Sequence, residues 1–115
     1  MFHRRKFYIV KSEFVDSFNE LFNTINLPNQ LKHGARLTGR WMKALESGDV
    51  EIFAIWEYDS KEAYEQIEAG VRADEAHSDR IEQWFAEHGG RKYISEELIV
   101  EMRNEQIFST SEIGN

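Results

Sequence analysis

The sequence predicts an α+β fold, a four-stranded antiparallel sheet with helices on one of its faces. Three observations lead to it. Segments of hydrophobic period two and segments of helical period follow one another in the order β-α-β-β-α-β. The two middle strands are separated only by ESGD, residues 46–49, where Gly48 can supply the positive φ of a tight reversal. The third and fourth strands carry apolar residues on both faces, so both of their faces need cover.

The elements follow in order. Residues 6–10 are aromatic and β-branched and read as the first strand. Ser12 stands where a helix N-cap belongs, with Glu13 and Asp16 in the first turn, where negative charge suits the helix dipole. Phe14, Phe18, Leu21, Phe22 and Ile25 form one apolar stripe. Pro28 lacks an amide donor, so a kink or restart is expected near Asn26. Lys32, His33 and Gly34 have the chemistry of a helix end.

From Ala35 the period changes to two. Leu37, Gly39 and Trp41 are expected on one face, and Arg36, Thr38, Arg40 and Met42 on the other. A long strand, VEIFAIWEY, spans residues 50–58. Asp59 with Glu62 fits a capping box, and Ser60 is the rival cap. Ala63, Tyr64, Ile67 and Val71 give the next helix its stripe; a break is expected over residues 70–74. His77, Ile81, Trp84, Phe85 and His88 then restore the helical period. The last strand is expected over residues 93–103, with Leu98, Val100 and Met102 on one face and Ile99 on the other. The domain is thus expected over residues 1–103, and a polar tail over 104–115.

This order is the ferredoxin-like plan. Its helices cover one sheet face only, and Phe53, Ile55 and Ile99 would leave the other face sticky. Pairing two sheets in a homodimer would bury it. At 115 residues, with 41% hydrophobic and 30% charged residues, the chain suits one folded domain. The formal net charge of −7 disfavours nucleic acid and anionic membranes as partners. The absence of cysteine excludes disulfides, iron–sulfur clusters and thiol catalysis. No apolar run approaches membrane-spanning length, and MFHRRKFYIV lacks the apolar run and cleavage site of a signal peptide. The expectation is a cytoplasmic protein.

Two stretches carry a resemblance. LPNQLKHGARLTGRW (27–41) and IWEYDSKEAYEQIEAGVRAD (55–74) resemble the NIPSNAP family of the dimeric α/β-barrel superfamily. The resemblance implies a ferredoxin-like protomer, a homodimer whose sheets form a barrel, and no agreed biochemical activity. The superfamily also holds cofactor-free monooxygenases and haem-binding enzymes, whose ligands occupy a cleft between helices and sheet. Its haem-degrading members use a histidine of the second helix as iron ligand, a tryptophan on that helix and an asparagine of the first strand. His77 matches the histidine by its spacing from Ser60; Ile67 stands at the tryptophan position, and residues 3–11 hold no asparagine. Haem is therefore implied at most as a ligand of His77, and the expected cofactor is none.

The residues themselves leave two readings open at each candidate. His77 shares a face with Ile81 and Trp84, and its imidazole could act as a base, ligate iron, or simply be hydrogen-bonded at a helix edge. Arg36 and Arg40 are expected to face the same way, to hold an anion or to pair with glutamates across the sheet. Trp41, Trp56, Tyr64 and Trp84 could line a pocket for a flat ligand or fill the core, and Tyr58 ends a strand where pocket walls are built. The histidines show no spacing that pairs metal ligands, so no metal site is expected. The expected function is binding of a small apolar or aromatic ligand in the helix–sheet cleft by an uncharacterised homodimer. A cofactor-independent monooxygenase or haem protein using His77, and a protein-interaction module, are the alternatives.

Overall fold

Side chains alternate across a strand, and in β1 (Phe2–Val10) and β3 (Val50–Tyr58) this alternation sorts the whole molecule. Val10 and Ile52 point to one side and pack with Phe14, Phe18, Leu21, Trp84, Ile94 and Leu98. Phe2, Ala54, Trp56 and Tyr58 lie on the same side and form a second cluster with Ala35. Ile52 is 1% exposed; burying such a side chain stabilises the fold by about 1.5–3 kcal/mol. The computed structural model describes residues 1–111. With β2 (Arg36–Ala44) and β4 (Ile99–Ile107), these strands form one antiparallel sheet in the order β2-β3-β1-β4. The helices pack on the side of Val10 and Ile52. The expected ferredoxin-like arrangement is therefore present.

The first helical segment starts with a single 3₁₀ turn at Ser12–Phe14 and continues as α1 (Val15–Leu21). Its N-cap position falls on Lys11, without a side-chain bond, so Ser12 is not the cap it was expected to be. The break expected near Asn26 is a π turn, Phe22–Asn26, in which the Leu27 amide bonds back to Phe22 O. Pro28 then stands in the first turn of α2 (Leu27–Lys32), where its missing N–H costs least. His33 ends α2, and Gly34 follows with φ of 100°. Between β3 and β4 lie α3 (Lys61–Ala73) and α4 (Glu75–Glu87). Ser60 wins over Asp59 as the α3 cap, its Oγ accepting from the Ala63 amide at 3.0 Å. A short turn, α5 (Arg91–Tyr93), and a π turn, Ile94–Leu98, occupy the start of the expected last strand. β4 begins later and runs on to Ile107, opposite His3, so residues 104–107 belong to the sheet and not to the expected tail. The end of that tail, 112–115, lies outside the described residues.

Two β-bulges correct the expected strand faces. In β2 the register shifts between Leu37 and Gly39, and Thr38 is left without a partner strand residue. Leu37 then lies opposite Trp56 and Arg40 opposite Ala54, both on the helix side. Arg36, opposite Glu57, and Trp41, opposite Phe53, lie on the other face. Arg36 and Arg40 thus point to opposite sides of the sheet. In β4 the shift skips Val100, so Ile99 pairs with Val10 on the helix side, together with Met102 opposite Tyr8. The face away from the helices is not a bare patch. Phe7 is only 3% exposed there, with the guanidinium groups of Arg5 and Arg103 over its ring at 4.6 and 4.3 Å. Trp41 folds its ring over Gly39, where a Cβ would come within 2.4 Å of the indole.

One carboxylate ties the helices together. Asp74 closes α3 and caps α4, its Oδ1 accepting from the His77 amide at 3.2 Å. Its Oδ2 accepts from Lys32 Nζ at 3.1 Å and from His33 Nε2 at 2.9 Å, at the end of α2. An ionised carboxylate only accepts, so the His33 Nε2 carries the proton. The bonds from His33, Lys32 and the His77 amide hold the Asp74 carboxyl well below the usual carboxylate range.

Two outcomes follow. Ser60→Ala removes the α3 cap and is expected to cost about 1 kcal/mol, read from the urea midpoint. For Asp74 the folded pKa lies below the unfolded one. Its contribution is therefore complete above the unfolded value, about pH 3.9, and is lost as pH falls below it. Stability of the wild-type protein is expected to fall more steeply below about pH 4 than that of Asp74→Asn, in urea melts taken across that range.

Candidate functional site

The helix side of the sheet is not filled everywhere. Ala54 is the small residue between Ile52 and Trp56 on β3, and the floor beside it is open. Lys6 and Tyr8 from β1 and Arg40 from β2 stand around it. Arg40 is there because the bulge at Thr38 turns it inward. The roof comes from the first helical segment: Phe18 of α1, Phe22 and Asn26 of the π turn, and Gln30 of α2. The π turn widens the helix where Phe22 and Asn26 face the sheet, as such turns often do at sites. The cavity, partly open to solvent, measures about 170 Å³.

Its walls are aromatic and its polar groups are unusually placed. Arg40 Nη1 donates to Asn19 Oδ1 at 2.6 Å, and the guanidinium carbon lies 4.3 Å from the Phe22 ring centre and 5.5 Å from that of Phe18. Burial pushes the Arg40 pKa down to about 10, against the opposing pull of Tyr8, and the group stays charged at neutral pH. Burial pushes the Tyr8 phenol up, so it remains a neutral hydroxyl. Trp56 is 2% exposed and Gln30 8%, yet Trp56 Nε1 and Gln30 Oε1 have no hydrogen-bond partner in the fold. Such buried groups are normally paired, and leaving one unpaired costs about 1–3 kcal/mol. Lys6 Nζ lies 4.0 Å from Glu68 Oε1, too far for a hydrogen bond. The cavity therefore presents two cationic side chains, Lys6 and Arg40, and the amides of Asn26 and Gln30 beside its aromatic wall.

A second, more apolar cavity of about 410 Å³ shares Tyr8, Phe18 and Asn26 with the first. It continues towards α4, where His77, Ile81 and Phe85 line it, and ends near Arg91 and Met102. His77 Nδ1 is buried without a partner. Burial lowers the His77 pKa; Asp74 opposes this, while Arg80, His33 and Lys32 add to it. The imidazole is accordingly neutral at pH 7.

Of the residues singled out in the sequence, Trp56 and His77 line this cleft, in its two different parts. Tyr58 and Tyr64 pack edge to face at 4.9 Å within the cluster around Phe2. The Tyr58 hydroxyl is buried without a partner, and its burial, with Glu68 nearby, raises the phenol above its usual range. Trp84 is a core residue stacked on His88 at 3.8 Å. Arg36 pairs with Asp59 at 2.9 Å and stands 3.8 Å from Glu57, on the opposite sheet face with Trp41. Sequence reasoning missed Lys6, Tyr8, Asn26, Gln30 and the inward turn of Arg40. The period-two pattern does carry Lys6 and Tyr8 to the side of Val10, which was a usable signal. Among the described residues no group of three or more His, Cys, Asp or Glu is placed to hold a metal ion. No helix among them is long and apolar enough to cross a membrane.

Comparison with solved structures gives the same fold. A NIPSNAP family protein from Agrobacterium tumefaciens superposes with a TM-score of 0.72 at 13% identity, covering 96% of this chain and 94% of its own. An uncharacterised NIPSNAP domain protein from Burkholderia xenovorans gives 0.67 at 17% identity, over 100% of both chains. A Bacillus cereus protein named after the antibiotic biosynthesis monooxygenases gives 0.59 at 15% identity, over 99% of this chain and 97% of its own. Identities this low show the fold and nothing finer. No curated protein matches the sequence. The NIPSNAP family model matches residues 5–108, nearly the whole sheet and all the helices, and the chain therefore belongs to the NIPSNAP family.

Proposed function

We propose that this protein binds a small aromatic molecule in the cleft between its first helical segment and the sheet, and does so as a homodimer. One observation carries the reading. A cavity of about 170 Å³, walled by Tyr8, Phe18, Phe22 and Trp56, brings the cationic side chains of Arg40 and Lys6 beside its rings without a carboxylate of the described residues within hydrogen-bond reach of either. Concave, mostly apolar sites with a few converging polar groups are where small ligands bind. The dimer reading rests on the other face, where the half-buried Phe53 and Ile55 lie with the 49%-exposed Trp41. Two such faces packed together would leave the cleft of each protomer free on the outer side.

A second reading starts from His77. Its neutral imidazole on the wall of the 410 Å³ cavity is the form that ligates iron or takes a proton. A cofactor-independent monooxygenase would use it as a base. A haem protein would use it as the residue that holds the iron, and His77 is the one candidate donor on that wall that supports this reading.

Native mass spectrometry of freshly purified protein tests the first reading. The expected result is a dimer carrying extra small-molecule mass. Ala54→Leu fills the floor of the cavity and is expected to keep the dimer and lose the extra mass. Retention of that mass by Ala54→Leu at the wild-type level would place the ligand elsewhere. For the second reading, added haemin is expected to give a Soret band that His77→Ala removes. A band of equal strength in both proteins rules out His77 as the ligand.

A further inference from the structure

The cleft holds a charge that nothing in the protein neutralises. Arg40 has one side-chain hydrogen bond, to the neutral amide of Asn19, and its flat faces lie against Phe18 and Phe22. No carboxylate is paired with it among the described residues. The arginines of the opposite sheet face behave differently. Arg5 pairs with Glu105 at 3.0 Å, Arg36 with Asp59 at 2.9 Å, and Arg103 with Glu101 at 2.9 Å. Arg4, on the helix side, is satisfied at the sheet edge by three bonds to Asn104. Arg40 alone is turned inward by a bulge, and it is left without a counter-ion there. A charge withdrawn from water is costly unless it is paired. Lys6, on the same wall, has only Glu68 at 4.0 Å.

We propose that Arg40 anchors the carboxylate of a single-ring aromatic acid, with the ring lying against the aromatic wall of Phe18, Phe22 and Trp56. This rests on the cleft being a ligand site, and it names the class of ligand. Guanidinium and carboxylate match as a two-pronged pair, which a lysine would not provide. Lys6, on the same wall, is a second cationic donor for an acidic oxygen. The Gln30 side-chain amide in the roof can meet a hydroxyl on the ring. An apolar cavity of about 150 Å³ takes benzene, and the 170 Å³ here is matched to one ring with a small substituent.

The test is calorimetric titration of the purified protein with 4-hydroxybenzoate and with its neutral counterpart, 4-hydroxybenzamide. The acid is expected to bind more tightly than the amide by about ten- to a hundredfold, the range of a charge-assisted bond. Arg40→Met is expected to erase that preference. Its thermal melt should stay close to that of the wild type, because Arg40 is only half-buried and makes one side-chain bond; Arg40→Gln serves as the second variant should Arg40→Met fail to fold. Equal binding of acid and amide would overturn the anion assignment and leave the cleft reading intact. Binding of neither, by a protein that retains a different ligand in native mass spectra, would overturn the assignment in the same way. If neither binds and the purified protein is empty, both fall together. An acid preference that survives in the Arg40 variants would move the anchor away from Arg40.

Discussion

One bulged residue, Thr38, decides what stands inside this protein and what stands outside. Successive residues of a strand point to opposite faces, so an extra residue inverts every assignment after it. Before the bulge Arg36 points away from the helices; after it Arg40 points toward them and Trp41 away. Without it the cleft would receive the indole of Trp41 and lose its cation. The charge in the cleft and the place of the Trp41 indole on the open face are both consequences of that single shift. Gly39, next to the bulge, lets the Trp41 ring lie flat on the backbone of the outer face.

The roof of the cleft depends on a similar irregularity. Pro28 cannot donate to the helix, and the chain answers with a π turn over Phe22–Asn26 before α2 resumes. Both ends of the segment are fixed. The Lys11 amide bonds to Leu98 O at 2.9 Å, and Lys32 and His33 are held by Asp74. The wide turn lies between these two anchors and places Phe22 and Asn26 over the sheet. A departure in a strand and a departure in a helix face each other, and the cavity is the space between them. Regular elements here would pack shut.

Much of the fold was legible because it rests on periodicity. The period-two runs gave the strands, the apolar stripes gave the helices, and ESGD gave the β2–β3 reversal. Ser60 was readable only as the rival of Asp59, and the break over residues 70–74 was readable without its cap, Asp74. What could not be read was register. A bulge at Thr38 or Val100 leaves no mark in hydrophobic alternation, so Arg40 was set beside Arg36 and Ile99 on the wrong side. The residues 93–98 look like a strand by composition, yet tertiary packing of Ile94 and Leu98 into the core favours a helical turn there. The candidate site suffered most. A cleft is assembled across three strands and one helical segment, and its key arginine is set by the feature that the pattern hides.

The three tryptophans have been divided among three surroundings by this architecture. Trp41 lies half in solvent on the outer sheet face, Trp56 at the cleft, and Trp84 in the core against His88. The chain thus carries its own optical probes, one for self-association, one for occupancy and one for unfolding. Emission from Trp41 is exposed to quenchers dissolved in the buffer, whereas Trp56 and Trp84 are shielded from them. Variants that keep a single indole would separate the three signals, and a dissolved quencher would then tell assembly from binding within one cuvette.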